Sequence, residues 1–144
     1  MNRETKFRGK SANDESGGFI YGSLLRGFFY NRITGKEIVY IASPDIFPDY
    51  DSFEDMESLV VEVHPESVGE YTGLKDKNGK EIYLSDYVRG VHRNWEWGNV
   101  VEVTFLNGCF MFGNYNAHEF FNKYTEIEVV GNVFQNPGLL EGEK

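Results

Sequence analysis

Trp97-Gly98-Asn99-Val100-Val101-Glu102-Val103-Thr104-Phe105-Leu106-Asn107-Gly108-Cys109-Phe110-Met111-Phe112 reads as a β-hairpin. Val101, Val103 and Phe105 alternate with Glu102 and Thr104, the two-residue period of a strand with one face turned inward. Asn107-Gly108 follows, and both residues reach positive φ cheaply, as a two-residue hairpin turn requires. The return stretch, Cys109 to Phe112, is apolar and aromatic and predicts the partner strand.

The same grammar recurs outward from this hairpin. Residues 7–10 suit a short first strand or arm, and 11–18 a turn of small and polar residues. Residues 19–25 are continuously apolar but too short for a stable helix, which favours a strand. Residues 28–41 predict a hairpin around Thr34-Gly35. Residues 59–63 predict a strand with Leu59, Val61 and Val63 on one face, and 65–69 turn the chain. Asn78-Gly79 marks another hairpin, and 82–91 run as strand and turn. Asn116 is placed to cap a short helix ending near Lys123, with Ala117, Phe120 and Phe121 on its apolar face. Residues 127–134 make a last strand, where Gly131 permits a bulge. Short strands separated by turn residues predict an all-β fold with minor α content: a small antiparallel barrel or sandwich with one or two short helices.

The 144 residues suit a single domain over 1–144, large enough to bury a core without staples. An acidic loop over 42–58 is inserted in it, broken by Pro44 and Pro48. The one cysteine, Cys109, rules out an internal disulfide framework and suits a reducing compartment. Residues 1–10 lack the apolar stretch of a signal peptide. The longest apolar runs are a few residues, too short for a membrane-spanning helix.

Charge is unevenly placed. The net charge is −9, yet residues 1–36 carry seven Lys/Arg against three acids, while residues 37–70 carry ten acids and no Lys/Arg. A chain of this balance gains little from phosphate attraction. A local basic face from Arg3, Lys6, Arg8 and Lys10, joined by Arg26, is the feature that keeps nucleic acid among the candidate partners.

Two stretches carry residue types enriched at binding surfaces. His92-Arg93-Asn94-Trp95-Glu96-Trp97 places Arg93, Trp95 and Trp97 in or beside a loop between strands, suited to stacking on a base or a peptide. The alternative is that both indoles share one strand face and cover the end of the fold. The acidic loop offers Phe47, Tyr50 and Phe53 to a basic partner, with its charge steering the encounter; a solvated flap is the competing reading. Around Gly73 and Gly79 the chemistry is that of turns, with Asp76 accepting backbone hydrogen bonds and Tyr71, Leu74 and Ile82 packed inside. An EF-hand is excluded because the position five residues before Gly79 is Leu74 rather than an aspartate. Cys109, His64, His92 and His118 are far apart in sequence, which disfavours a zinc site or a Cys/His nucleophile pair. The apolar neighbours of Cys109 predict a buried, inert thiol. No phosphate-cradling motif is present, and no cofactor or metal is implied.

Residues 63–83, with Tyr71-Thr72-Gly73-Leu74, Asp76 and Asn78-Gly79, continue through Leu84-Ser85-Asp86-Tyr87-Val88. This stretch resembles the YopX family of phage and prophage proteins. So do the opening Lys6-Phe7-Arg8-Gly9-Lys10 with Gly18-Phe19-Ile20-Tyr21-Gly22, and the closing Glu128-Val129-Val130-Gly131-Asn132-Val133-Phe134-Gln135-Asn136-Pro137-Gly138-Leu139-Leu140. The resemblance spans roughly residues 3–140. Departures are small: Leu84 and Ser85 stand before Asp86 where the family commonly has a glycine or acidic residue, and Gly138 stands where a glutamate is common. The resemblance implies an all-β protein with SH3-type barrel character, encoded by a phage or an integrated element, and it supplies no catalytic residue. Together these readings lead to an accessory protein of the bacterial cytoplasm, a non-enzymatic binding module for a host or phage macromolecule. Nucleic-acid binding is the alternative, and a hydrolase using His92 or His118 the least supported. Strand edges can pair between copies, so self-association is also expected.

Overall fold

The structure, a computed structural model, describes residues 4–13, 18–43 and 60–142. It is mostly β, with two antiparallel sheets and little helix. Contacts divide the chain into two compact units, Met1–Glu70 and Tyr71–Lys144.

The first unit contains β1 (Phe7–Lys10), β2 (Phe19–Tyr30), β3 (Glu37–Ala42) and β4 (Val60–Val63), then a 3-10 turn (Pro65–Ser67). The following β5 (Gly69–Lys75) begins in this unit. Their pairing order is β4-β3-β2-β1-β5. Val39, Ile41 and Val63 are buried with Phe7, Ile20, Leu24 and Val68 packed against them. This sheet curls: Ser11 bridges back to Val63, and Ala12 N–H donates to the Glu62 carbonyl (2.9 Å). Among the described residues no continuous ladder joins β1 to β4, so the curl stops short of a closed barrel. Pro65 opens the 3-10 turn, where a missing N–H costs nothing. Ser67 locks it, its hydroxyl donating to the His64 carbonyl (2.6 Å) and accepting from Lys10 N–H (2.8 Å).

The strand expected over 19–25 and the hairpin expected over 28–41 are one continuous feature. β2 runs through both, pairs with β3, and shifts register between Leu25 and Phe29. Gly27 sits there at φ +84°, in the left-handed region that glycine enters without strain. That is how a strand absorbs extra residues without ending.

The second unit contains the rest of β5, β6 (Glu81–Tyr83), β7 (Asp86–His92), β8 (Gly98–Leu106), β9 (Cys109–Phe112), β10 (Tyr115–Asn116), α1 (Ala117–Lys123), β11 (Tyr124–Asn132) and α2 (Leu139–Gly142). Its five-stranded sheet is ordered β10-β9-β8-β7-β11 and is open at both ends. Asn107 and Gly108 both take positive φ (53° and 83°), making the predicted tight turn between β8 and β9. The Asn116 side chain accepts from Glu119 N–H (2.9 Å) and caps α1 as its sequence requires. α1 buries Phe120 among Ile82, Val88, Val103, Phe112, Tyr124 and Ile127. β11 begins three residues earlier than the spacing predicts and shifts register beside Gly131. Among the described residues no helix is long and apolar enough to cross a membrane.

Candidate functional site

The turn between β7 and β8 is held by its own backbone. Glu96 N–H donates to the His92 carbonyl, and His92 N–H to the Trp97 carbonyl (both 2.9 Å). Asn94 N–H donates to His92 Nδ1 (3.2 Å), so a neutral ring carries its proton on Nε2. Arg93 works for the fold. Its N–H donates to the Lys123 carbonyl (3.0 Å) and its guanidinium to the Phe121 carbonyl (3.3 Å). These lie in the last turn of α1, where helical carbonyls have no donor of their own and a cation suits the dipole.

A ladder of rings runs from the second unit's core to this turn. Phe112 stacks on Phe120 (5.2 Å between centroids) and Phe120 on Tyr124 (4.6 Å). Tyr124 meets His92 edge-on (5.2 Å), His92 stacks on Trp97 (5.5 Å), and Trp95 tilts against His92 (6.2 Å). Gly90 makes room for it: a Cβ there would come within 3.0 Å of Tyr124 Cβ. Burial falls along the ladder, from fully buried Phe112 to Trp97 at 46% and Trp95 at 69% exposed. Trp97 packs edge-on against buried Tyr124 (6.0 Å) and so covers part of the core, while Trp95 stands further out. The Arg89 guanidinium rests over the Gly98 backbone, next in chain to Trp97, and Lys123 Nζ sits 5.5 Å from the Tyr115 ring.

The other predicted positions fare differently. Phe47, Tyr50 and Phe53 lie outside the described residues, as does Arg3. Among the described residues, the basic N-terminal face loses Arg8 to the interior. Arg8 is only 3% exposed: on the strand face opposite Phe7 and Gly9, its guanidinium lies 4.1 Å from the Phe19 ring. Lys6 pairs with Glu4 (3.2 Å), and Lys10 lies against Phe19. Arg26 pairs with Glu37 (2.8 Å), which also accepts from Gly27 N–H. The Arg26 hydrogen bond, reinforced by Gly27, holds the Glu37 carboxyl below the ordinary carboxylate range despite some desolvation.

Cys109 is exposed, not buried. It opens β9 at the tip of the β8–β9 hairpin, beyond the reach of the core, beside exposed Phe105 and Leu106. Its Sγ donates to the Leu106 carbonyl (3.4 Å). His118 pairs with Asn122 (3.2 Å), and His64 approaches Glu66 (3.9 Å). Among the described residues no three His, Cys, Asp or Glu side chains are grouped to hold a metal ion.

The polar residues of the 63–88 stretch are turn anchors. Asp76 Oδ1 accepts from Asn78 N–H (2.8 Å) and Lys80 N–H (2.9 Å), and Oδ2 from Val129 N–H (3.0 Å). Burial pushes its pKa up, but these three donors and the Lys80 charge outweigh it, and the carboxyl sits below its ordinary value. The Thr72 hydroxyl donates to the Ile82 carbonyl (2.7 Å), and buried Asp86 accepts from Tyr83 N–H (2.8 Å). Asn132 does the same in the closing stretch, accepting from Phe134 and Gln135 N–H. Tyr71 and Ile82 are buried and Leu74 packs on the same core, as expected.

One surface escaped the sequence reading. Phe28, Phe29, Tyr30 and Ile33 stand exposed along the β2–β3 hairpin. The signal was an isoleucine inside a polar turn, Asn31 to Lys36, and consecutive aromatics with no polar residue between them.

No curated protein matches the chain. Among solved structures, the crystal structure of protein EF1440 from Enterococcus faecalis is similar at 20% identity and a TM-score of 0.45, covering 96% of this chain and 99% of that one. A family model described as YopX protein matches residues 6–141, nearly the whole sequence, and the chain therefore belongs to the YopX protein family.

Proposed function

We propose that this chain is a non-enzymatic binding module, an accessory protein encoded by a phage or prophage and acting in the bacterial cytoplasm, and that the tryptophan turn is its recognition surface for a host or phage macromolecule. The observation that carries this reading is Trp95, 69% exposed yet seated through His92 on a ring ladder continuous with the core. A preorganised indole loses little entropy on binding and brings a large apolar area, the properties of a hot-spot residue. The SH3-type character implied by the resemblance is part of the same proposal, supported by the curled sheet of the first unit.

A second reading is a single-stranded nucleic acid stacking a base on exposed Trp95, with Arg89, its guanidinium against the Gly98 backbone that follows the turn, as the cation. It uses this turn rather than an N-terminal face.

The test captures partners from host cells during infection with the wild-type chain and with Trp95→Ala, both shown to be folded. A macromolecule enriched only by the wild type is the expected result, and a salt-sensitive oligonucleotide in its place selects the second reading. Identical captured sets would remove the turn from consideration.

A further inference from the structure

The β2–β3 hairpin outgrows its sheet. β1 pairs with β2 only over Phe19 to Gly22, and β4 pairs with β3 only over Val39 to Ala42. From Ser23 to Tyr30, the edge of β2 away from β3 has no strand partner among the described residues. Beyond Gly27 the hairpin is a two-stranded ribbon, an element of marginal stability in water by itself.

Its tip is nonetheless fixed. Asn31 Oδ1 accepts from Ile33 N–H (2.9 Å) and Thr34 N–H (3.0 Å). Asn31 N–H donates to the Lys36 carbonyl, and Gly35 N–H to the Asn31 carbonyl (both 2.8 Å). The result is an isoleucine held outward at 96% exposure, with Phe28 at 72%, Tyr30 at 56% and Phe29 at 47%.

The devices that usually keep a free edge from pairing are mostly missing. The segment Ser23 to Tyr30 has no proline and one charge, Arg26, which Glu37 of the adjacent strand neutralises (2.8 Å). Among the described residues, the register shift at Gly27 is the one feature that interrupts this edge.

We propose that this hairpin is a self-association surface and that its occupant is the same hairpin of a second copy. Phe28 and Tyr30 project from one face of β2 and Phe29 from the other, so pairing edge to edge sets the exposed rings of both faces beside the second copy's strand as cross-strand neighbours. An identical hairpin also brings a matching free edge, so edge N–H and C=O groups without a strand partner, Gly27 N–H aside, are satisfied on both strands together. This surface lies on a different unit from the tryptophan turn, and its fate is independent of that reading.

Sedimentation velocity and light scattering on the full chain across the micromolar range read the mass directly. The expected result is a two-copy species that Ile33→Ser and Phe28→Ser each weaken about tenfold or more. Hydrogen exchange on the unmodified chain gives a readout free of any folding defect: amides within Ser23 to Tyr30 become protected as concentration rises. A one-copy mass throughout overturns the proposal, and so does a two-copy mass indifferent to both substitutions. Monomers that instead bind anionic vesicles or duplex DNA through Ile33 overturn it as well.

Discussion

At the scale of single residues, the side chains that identify the family are occupied in holding turns. Asp76 is the clearest case, with three backbone N–H groups on one carboxylate. Asp76→Ala leaves those donors without their acceptor and is expected to cost about 3 kcal/mol, seen as a lower urea midpoint. The pH dependence follows from the lowered pKa. The unfolded chain takes up the proton first, near pH ~4. The contribution of Asp76 is therefore complete above that value and is lost as pH falls through the lower folded value. Asp76→Asn should flatten this part of the acid limb, and a limb unchanged from wild type would show that the carboxylate is not the group titrating. Half of this was legible in the sequence. Asn78 and Lys80 are near neighbours within the turn, and turn chemistry predicts that Asp76 accepts backbone hydrogen bonds. Val129 lies 53 residues away, and only tertiary structure brings it there. The burial of Arg8 was hidden for a related reason, since charge argues for the surface while the Phe19 ring lies over its guanidinium.

At the scale of elements, local chemistry spoke plainly where a single turn or cap decides the outcome. The Asn107-Gly108 hairpin and the Asn116-capped helix stand where they were expected. Strand extent was less legible. β2 continues through Gly27 because β3 supplies a partner and the register shift absorbs the mismatch, neither of which is a local property. The exposure of Phe28 and Tyr30 was illegible too, because an aromatic run reads as core until the neighbouring strands are known to stop short. Gly22 shows how closely β2 and β3 approach. A Cβ there would run into the Ala42 carbonyl oxygen, whereas Gly18 has nothing within 4 Å. Gly22→Ala should destabilise the first unit by about 2–3 kcal/mol, while Gly18→Ala stays near wild type in the same denaturant titration. Equal behaviour of the two would mean that β2 and β3 separate without cost.

At the scale of the whole molecule, charge and apolar surface act in opposite directions. A net charge of −9 makes two copies repel at neutral pH, and the repulsion is screened as salt shortens the Debye length from about 10 Å at 0.1 M to 3 Å at 1 M. The hairpin contact is apolar and is not screened. Self-association should therefore tighten several-fold with added sodium chloride, and tighten again as pH approaches the isoelectric point near 4.8. Weakening with salt, measured by sedimentation, would indicate a contact built from ion pairs instead.

Both tryptophans of the chain, Trp95 and Trp97, occupy one five-residue turn. Light at 295 nm excites indoles and almost nothing else, so the emission of the whole polypeptide originates at that single spot. The native molecule thus carries its own optical probe. Anything that settles on the turn and displaces water from Trp95 will move the spectrum to shorter wavelength, with no dye attached and no other part of the protein contributing.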